Sequence, residues 1–176
     1  MAKTILFITA SLDGFIASKD GSVDWLYSDQ DYDYTDFYES LDLVVMGRKT
    51  FEQTLTFGPY PYQNKNSLVF TSKPEELKPK AEGYDNIAFT SQSPLEFMGE
   101  ASKGDQKIWL VGGGNLISQF IRNNLIDEFW IYLHPIILGK GLPLFQDLNK
   151  KQELQLIDTT PFSSGMVRLR YQKIKN

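Results

Sequence analysis

Residues 108–120 read IWLVGGGNLISQF. The run begins with apolar residues typical of a buried strand, passes through three glycines and ends in a helical pattern that places Leu116, Ile117, Phe120 and Ile121 on one face. One glycine is enough for a turn, and each further glycine costs about 0.5–1 kcal/mol of backbone entropy. The triplet therefore predicts a strand-to-helix bend that a ligand phosphate or a flat ring approaches closely. The alternative is a tight strand–helix crossing within the protein.

A similar bend lies earlier, in residues 43–52, which read LVVMGRKTFE. A strand that ends in glycine and turns into a helix leaves the first backbone N–H groups of the helix unpaired, and these donors attract an anion. Arg48, Lys49 and Thr50 add two cations and a hydroxyl. The sequence therefore predicts a phosphate site at this bend. The alternative is a tight turn at Gly47, a helix cap at Thr50 and two solvated cations.

A third strand end, in residues 67–74, reads SLVFTSKP. Alone, Thr71, Ser72 and Lys73 would cap and solvate the strand end. Beside Arg48 they would form a pocket for an isolated phosphate, such as the 2′-phosphate that distinguishes NADPH from NADH.

The composition sets the fold class. The chain has 176 residues, of which 41% are hydrophobic and 23% charged, so we expect a single domain over residues 1–176. Short apolar runs rich in β-branched residues alternate with amphipathic segments, which predicts an α/β fold. We expect strands at residues 4–10, 43–46, 67–71, 87–90, 107–111, 129–134 and 166–174, the last near a sheet edge, and helices at residues 31–40, 50–55, 94–102 and 115–124.

Charge and composition also exclude several classes of function. The net charge of −4 argues against a general nucleic-acid or anionic-membrane binder, because both need a basic face. With no cysteine and one histidine, His134, the chain lacks the common zinc-ligand sets, so we expect metal-free chemistry on a small molecule. His134 itself is expected to be a satisfied structural residue. The N-terminus has neither a secretory signal nor a membrane span, so we expect a cytoplasmic protein.

The ordered motifs SLDGFIA, MGRKTFE, FTSK, VGGGNLISQF and LGKGLPLF resemble the dihydrofolate reductase-like superfamily. The chain is most similar to stand-alone proteins resembling the reductase half of the bacterial riboflavin-pathway deaminase-reductase, from about Lys3 to Phe145. The resemblance implies a dihydrofolate reductase-like three-layer sandwich: a mixed, mostly parallel central sheet with helices on both faces. It also implies a homodimer that uses NADPH to reduce a small pyrimidine- or pterin-like heterocycle, as 5-amino-6-(5-phosphoribosylamino)uracil reductase and dihydrofolate reductase do. The alternative is a nucleotide-binding protein of this fold without turnover.

The resemblance further implies cofactor-binding residues, with NADPH lying across the ends of the strands. These are Gly47, Arg48 and Thr50 at the pyrophosphate and the adenosine-side phosphate, Thr71 and Ser72 at the 2′-phosphate, Val111, Gly112, Gly113, Gly114, Asn115 and Leu116 at the diphosphate and nicotinamide half, and Thr9, Ile16 and Ala17 at the nicotinamide ring.

The proton donor is the least defined element. In dihydrofolate reductases it is a carboxylate on the first helix, some residues after a tryptophan. Here Trp25 is followed by several aspartates, and spacing back from Gly47 favours Asp31 as the catalytic acid. A single insertion would transfer the role to Asp29, Asp33 or Asp36. The alternative is a solvated helix N-terminus, where acidic residues complement the dipole.

Residues 20–47 are expected to form one wall of the substrate pocket. They contain eight acidic residues and no lysine or arginine, so a phosphoribosyl group would meet uncompensated negative charge. This departs from the riboflavin-pathway reductases, which are expected to supply a basic residue here. The aromatic residues of the stretch suit stacking on a flat, neutral or cationic ring. Trp25 and Asp13 are the expected substrate-binding residues; the alternative for Asp13 is a cap of the turn after the first strand.

Overall fold

The computed structural model describes residues 1–149 and 151–174. Within them, ten strands and five α-helices are present, with short 3₁₀ helices at Leu55–Phe57 and Lys78–Ala81. The strands are β1 (Lys3–Ser11), β2 (Phe15–Ala17), β3 (Leu43–Gly47), β4 (Asn66–Phe70), β5 (Ile87–Thr90), β6 (Lys107–Gly112), β7 (Glu128–His134), β8 (Leu142–Pro143), β9 (Leu154–Pro161) and β10 (Val167–Lys173). The helices are α1 (Tyr34–Glu39), α2 (Arg48–Thr54), α3 (Pro74–Leu77), α4 (Pro94–Ala101) and α5 (Gly114–Arg122).

Eight strands form one sheet in the order β5-β4-β3-β6-β1-β7-β10-β9. The neighbours from β5 to β7 are parallel, whereas β10 is antiparallel to both β7 and β9. The remaining strands, β2 and β8, pair as a separate antiparallel ribbon. The predicted α/β fold with a mixed, mostly parallel central sheet is confirmed.

Both faces of the sheet are buried, which explains why the central strands are continuously apolar. Successive residues of β1 and β6 enter opposite cores. Leu6 and Leu110 belong to the core that contains residues of α4 and α5, while Ile5 and Trp109 pack with Phe37 of α1 and with residues of α2. The carboxyl ends of these parallel strands therefore meet at one edge, between two layers of helices.

The departures from the sequence prediction lie at element ends and in short or exposed elements. Helix α1 begins at Tyr34 rather than at residue 31, because Tyr32 and Asp33 adopt φ angles of 53° and 61°, which a right-handed helix cannot accommodate. The sequence does not predict strands β2, β8 and β9 or helix α3. The exposed strand β9 forms the edge of the sheet, and β10 (Val167–Lys173), the predicted strand near an edge, is next to it. No helix in residues 1–149 or 151–174 combines the length and apolarity needed to cross a bilayer.

Candidate functional site

The bend after β3, residues 47–50, and the bend after β6, residues 112–116, lie side by side. We call them the Gly47 bend and the Gly112 bend. Strands β3 and β6 are parallel neighbours in which Met46 pairs with Gly112. A Cβ atom on Gly47 would lie 3.7 Å from Gly112 O and 3.9 Å from Gly113 N. The structure therefore brings the two bends together at the carboxyl edge of the sheet.

Backbone conformation and packing explain two glycines of the Gly112 bend. Gly112 has a φ of 131°, a conformation that other residues rarely adopt. A Cβ on Gly114 would lie 2.9 Å from Pro143 O, so the close neighbour at this position is the protein itself. A Cβ on Gly113 would lie 3.4 Å from Thr50 Oγ1, an ordinary van der Waals contact, so packing does not require glycine there. The approach of a ligand to this bend stays a prediction.

The helices that follow the two bends begin without side-chain caps. Gly113 is the N-cap of α5 and Gly47 that of α2, and in neither helix does a side chain from the described residues accept a capping hydrogen bond. By contrast, α4 begins with a complete capping box between Ser93 and Glu96. The first-turn N–H groups of α2 and α5 are therefore left for solvent or an anion, and the nine-residue α5 carries the larger dipole.

The other predicted residues of the two bends have distinct environments. Val111 is half-buried in β6 and Leu116 is buried in the core, where its Cβ lies 3.9 Å from the Cβ position of Gly47. Asn115 is exposed in the first turn of α5, and its amide oxygen accepts a hydrogen bond from Gln119. Leu116 of the Gly112 bend thus packs against the Gly47 bend, while Asn115 is exposed and accessible to a ligand.

The β2–β8 ribbon carries Ile16 and Ala17 to the Gly112 bend. Ala17 pairs with Leu142 of β8, and the next residue, Pro143, directs its carbonyl oxygen towards Gly114. Thr9 is half-buried on β1; the side chain of the preceding residue, Ile8, comes within 3.9 Å of the Cβ position of Gly112, and side chains alternate along a strand, so Thr9 faces the other side of the sheet. The structure therefore places the β2–β8 ribbon beside this bend, and the roles of Thr9, Ile16 and Ala17 at a nicotinamide ring stay predictions.

Thr71 and Ser72 leave β4 at the same edge, beside the Gly47 bend. Phe70, the last residue of β4, pairs with Gly47 of β3. The Thr71 N–H donates to the carbonyl oxygen of Thr90, the last residue of β5. The Thr71 hydroxyl accepts a hydrogen bond from the backbone N–H of Lys73 at 3.1 Å. The hydroxyl of Thr71 thus has the capping role that the residues alone suggested, at a place next to the predicted phosphate residues.

Arg48 belongs to a chain of exposed ion pairs that we call the charged network: Lys73, Glu76, Arg48, Glu52 and Lys80. The carboxylate of Glu76 joins two cations, with Lys73 Nζ at 2.7 Å and Arg48 Nη1 at 2.9 Å. Hydrogen bonds from Lys73 and Arg48 hold the pKa of Glu76 below its usual value. Three cations and two carboxylates leave the network with net positive charge. Exposed pairs are weak, so an anion can compete with Glu76 for its partners.

Asp31 is exposed and lies three residues before α1, where its side chain bonds to the first turn of the helix. Its carboxylate accepts hydrogen bonds from the backbone N–H of Thr35 at 3.2 Å and from the Thr35 hydroxyl at 2.6 Å. Asp29, Asp33 and Asp36 are exposed as well. These contacts match the solvated helix N-terminus, and the catalytic role of Asp31 stays a prediction without a geometric argument.

We expect Asp31→Ala to lower the free energy of unfolding by about 1 kcal/mol, the usual cost of losing a helix cap. The measurement is denaturant unfolding. Asp36→Ala is the matched control, because Asp36 lies in the first turn of α1 and makes no side-chain hydrogen bond within the described residues; its effect should stay within about 0.5 kcal/mol. A loss of turnover far beyond the loss of folded protein in Asp31→Ala would instead identify Asp31 as the proton donor.

Asp13 holds the turn after β1. Its carboxylate accepts from the Ser11 hydroxyl at 2.6 Å, from Leu138 N–H at 3.1 Å and from Gly139 N–H at 2.7 Å. The hydrogen bond from Ser11 lowers the pKa of Asp13 below its usual value. We therefore assign Asp13 to tying this turn to residues 138–139, and its contact with a substrate stays a prediction.

An arginine from outside residues 20–47, the predicted substrate wall, forms an ion pair with one of the acidic residues of that wall. Arg168 of β10 forms ion pairs with Asp33 and, at 2.7 Å, with Asp158 of β9, and its side chain is only 12% exposed. The expected absence of compensating charge is therefore wrong for Asp33. Because two carboxylates share one guanidinium, the cluster remains net negative. Arg168 lies 135 residues from Asp33, so no local pattern predicts the pair.

Trp25 and His134 meet at the end of β7. Their rings are perpendicular, with centroids 5.3 Å apart. His134 Nε2 accepts from the backbone N–H of Tyr27 at 2.9 Å, whereas His134 Nδ1 and Trp25 Nε1 are buried and bond to no atom of the described residues. The expectation that His134 is a satisfied structural residue is thus correct for one nitrogen only.

Comparison with known proteins agrees with this architecture. The RibD C-terminal domain family model matches residues 60–168. The uncharacterized protein YwjB of Bacillus subtilis is 38% identical over 175 residues, covering 96% of this chain and 97% of that protein. The crystal structure of a putative riboflavin biosynthesis protein from Shewanella sp. PV-4 has a TM-score of 0.89 at 29% identity and covers 98% of this chain and 99% of that chain. Dihydrofolate reductase from Enterococcus faecalis, complexed with NADP(H), has a TM-score of 0.69 at 20% identity over 99% of this chain and 97% of that chain. This last likeness confirms the predicted dihydrofolate reductase-like fold.

Proposed function

The chain belongs to the RibD C-terminal domain family, as its motifs indicated, and we propose that it is an NADPH-dependent oxidoreductase that transfers hydride to a small pyrimidine- or pterin-like heterocycle. The observation that carries the proposal is the meeting of the Gly47 and Gly112 bends at one edge of the sheet. Uncapped helix N-termini at two adjoining bends supply the backbone donors that a diphosphate requires.

The order of features along this edge supports a dinucleotide over a single phosphate. From β4 through β3 and β6 to β1, the edge carries the charged network, the Gly47 bend, the Gly112 bend and Thr9. Strands are spaced by about 4.8 Å, so these four strands span roughly 14 Å. Basic side chains come first along this edge, followed by backbone donors and then Thr9, which is the order of the 2′-phosphate, diphosphate and nicotinamide in NADPH.

Bound NADPH would supply the hydride, and the protein would hold and orient the reactants. Arg48, with Thr71 and Ser72, would hold the 2′-phosphate, while Ile16 and Ala17 on the β2–β8 ribbon would shield the nicotinamide end from water. Phe37 stacks on Phe7 with ring centroids 4.3 Å apart, but it is 3% exposed and belongs to the core under α1. We propose that Trp25, in the predicted substrate wall, receives the substrate ring.

The charge of the wall favours a substrate without phosphate. Arg168 is already shared by Asp33 and Asp158, and residues 20–47 contain eight acidic residues with no lysine or arginine among them. A phosphoribosyl group would therefore have to displace an existing ion pair. We propose an uncharged or cationic heterocycle.

A second candidate function is nucleotide binding without turnover. The exposure of Asp29, Asp31, Asp33 and Asp36 favours it, because each lacks the burial that would tune a proton donor. Oxidation of NADPH, followed across a panel of dihydropterins, pyrimidines and simple carbonyl compounds, distinguishes the two functions.

NADPH is expected to raise the melting temperature of the protein, and to raise it more than NADH at equal concentration. A ligand that binds only the folded state adds about 2.7 kcal/mol at 100 times its Kd. Thermal unfolding with each nucleotide is the measurement. If neither nucleotide shifts the transition at millimolar concentration, the proposed function is wrong; a larger shift with another phosphorylated metabolite would reassign the two bends to that ligand.

A further inference from the structure

Two consecutive residues of the predicted substrate wall adopt a strained backbone conformation. Tyr32 has a φ of 53° and Asp33 a φ of 61°. Elsewhere in residues 1–149 and 151–174, no two neighbouring non-glycine residues share a positive φ. The left-handed region is unfavourable for a bulky side chain, and strain of this kind persists only where surrounding contacts impose it. Strained residues are concentrated at ligand clamps and switch regions, so this pair indicates a segment with two conformations.

Side chains of β10 and of the turn before it impose the strained conformation. The Asp33 carboxylate forms an ion pair with Arg168, and the Tyr32 ring stands nearly perpendicular to the Phe162 ring, with centroids 5.0 Å apart. We call residues 28–33 the flap; all of them except Tyr32 are exposed. Tyr32 and Asp33 thus attach the flap to the sheet.

The flap crosses the carboxyl edge of the sheet on the face that carries Thr9. Thr9 of β1, Tyr132 of β7 and Arg168 of β10 are neighbours in register, so their side chains form a row on one face. One end of the flap follows Tyr27, whose N–H bonds to His134, two residues beyond Tyr132. The other end lies on Arg168. The flap therefore borders this row, in which Tyr132 is only 1% exposed.

Asp33 and Arg168 can separate without leaving a buried charge unpaired. The Arg168 side chain is 12% exposed, and its guanidinium also bonds to the Asp158 carboxylate and to the Thr160 hydroxyl, each at 2.7 Å. These partners remain when Asp33 leaves. The Asp33 side chain is 49% exposed, so water replaces the ion pair, and two carboxylates no longer share one cation. Asp33 and Asp158 therefore compete for Arg168.

We propose that the flap opens and closes the approach to Thr9 and Tyr132, and that Arg168 holds it closed. In the closed state Asp33 pairs with Arg168; in the open state the other partners keep the guanidinium, and the flap relaxes from the left-handed conformation. The inference rests on the proposed function, since Thr9 is the residue expected at the nicotinamide ring, and it adds control of access to the same site. Arg168 is a positioning residue, because it acts on the site through the flap.

Amide hydrogen exchange of the free protein, followed by nuclear magnetic resonance, measures the opening. The Phe37 N–H donates to Asp33 O at 3.3 Å, a bond that requires Asp33 in its closed position. Asp33→Asn removes the charge and keeps a residue that tolerates the left-handed conformation, so we expect Phe37 to exchange about tenfold faster or more. Asp36→Asn is the matched control, because Asp36 is an exposed acid in the first turn of α1; the rate should change by less than about twofold.

Asp158→Asn is expected to act in the opposite direction. Arg168 then pairs with Asp33 alone among carboxylates, so exchange at Phe37 should become several-fold slower. Faster exchange in Asp158→Asn would show that Asp158 supports the closed flap instead of competing with it, and would overturn the proposal. Equal rates in Asp33→Asn and Asp36→Asn would overturn it as well.

A loss of stability in the whole fold is detected at a second amide. Val45 is buried in the central strand β3, and its N–H reports global unfolding. In Asp33→Asn its exchange should accelerate much less than that of Phe37. If both amides accelerate by the same factor, the ion pair only stabilises the fold and the flap does not open by itself.

Access to the row is tested with a single thiol, since the chain contains no cysteine. In a Thr9→Cys background, alkylation of the thiol by iodoacetamide should be several-fold faster with Asp33→Asn and slower with Asp158→Asn. Equal rates in all three proteins would mean that the flap does not control access to Thr9, which would disprove the proposal. Neither measurement uses a nucleotide. If NADPH does not raise the melting temperature but these rates change as expected, the cofactor is wrong and the flap stands; the converse result rejects the flap alone.

Discussion

Replacing Arg48 by alanine is expected to weaken NADPH binding about 10- to 100-fold and to leave NADH binding nearly unchanged. The two nucleotides differ only in the 2′-phosphate, and a hydrogen bond to a charged group contributes about 1.5–3 kcal/mol. Arg48 is 36% exposed at the Gly47 bend and already binds an anion, the carboxylate of Glu76. Dissociation constants for both nucleotides, measured by calorimetry on the same protein preparations, are the required observation.

Lys49→Ala is the matched control for Arg48→Ala. Lys49 is the next residue of α2 and is exposed, and it forms no ion pair among the residues that the structure describes. Lys49 is the other cation of the predicted phosphate site, so its replacement should weaken NADPH and NADH slightly and by the same factor, without the preference for NADPH that Arg48 confers. If Arg48→Ala weakens NADPH and NADH equally, Arg48 contacts the diphosphate that both nucleotides share, or supports the bend itself.

The same arrangement predicts the opposite effect for Glu76. Because its carboxylate joins Arg48 and Lys73, it occupies the place between two cations that a phosphate would take. Glu76→Gln should therefore strengthen NADPH binding several-fold, with no change for NADH. Glu75→Gln is the control, since Glu75 pairs with Lys78 instead, at 2.6 Å. Unaltered NADPH affinity in Glu76→Gln would separate the charged network from the 2′-phosphate.

Local patterns predicted the central strands because burial on both faces leaves a continuous apolar run, as in β1 and β3. The same reasoning failed where burial is slight. Strand β9 is mostly exposed, with Leu156 at 52% and Ile157 at 42%, so its sequence carries no clear alternation. Strand β8 has two residues and exists only because β2 pairs with it. Tertiary pairing, rather than local propensity, creates these elements.

The candidate site was predictable in its parts and not in its connections. Both bends follow from glycine after an apolar run, yet nothing local indicates that β3 and β6 are neighbours. Glu76 was missed although it lies three residues after Lys73, a spacing typical of helical ion pairs, because the four-residue α3 was not predicted. The glycine triplet predicted the close approach of a ligand, whereas at Gly114 the close neighbour is Pro143 of the same chain. The sequence shows which residues follow each strand, but the contacts that decide the roles of these residues join parts of the chain that are far apart in sequence.

Gly141→Ala is expected to lower the free energy of unfolding by about 1–3 kcal/mol, the range for inserting a methyl group into a packed contact. The added Cβ would lie 2.3 Å from Ala17 O and 3.1 Å from the Phe15 side chain. The first neighbour is a backbone atom, so it can move away only if the β2–β8 ribbon separates. Ile16 and Ala17 would move with it, and the stabilisation by NADPH should therefore fall as well.

Gly99→Ala is the control, because Gly99 lies within α4 and a Cβ there meets no atom within 4 Å. Alanine favours a helix interior over glycine by about 0.5–1 kcal/mol, so this variant should be more stable than the unmodified protein. Urea unfolding with and without NADPH measures both effects. Unchanged stability in Gly141→Ala would mean that this contact does not hold the ribbon. A stability loss with the NADPH effect intact would give the ribbon a structural role only and remove Ile16 and Ala17 from the nicotinamide end of the site.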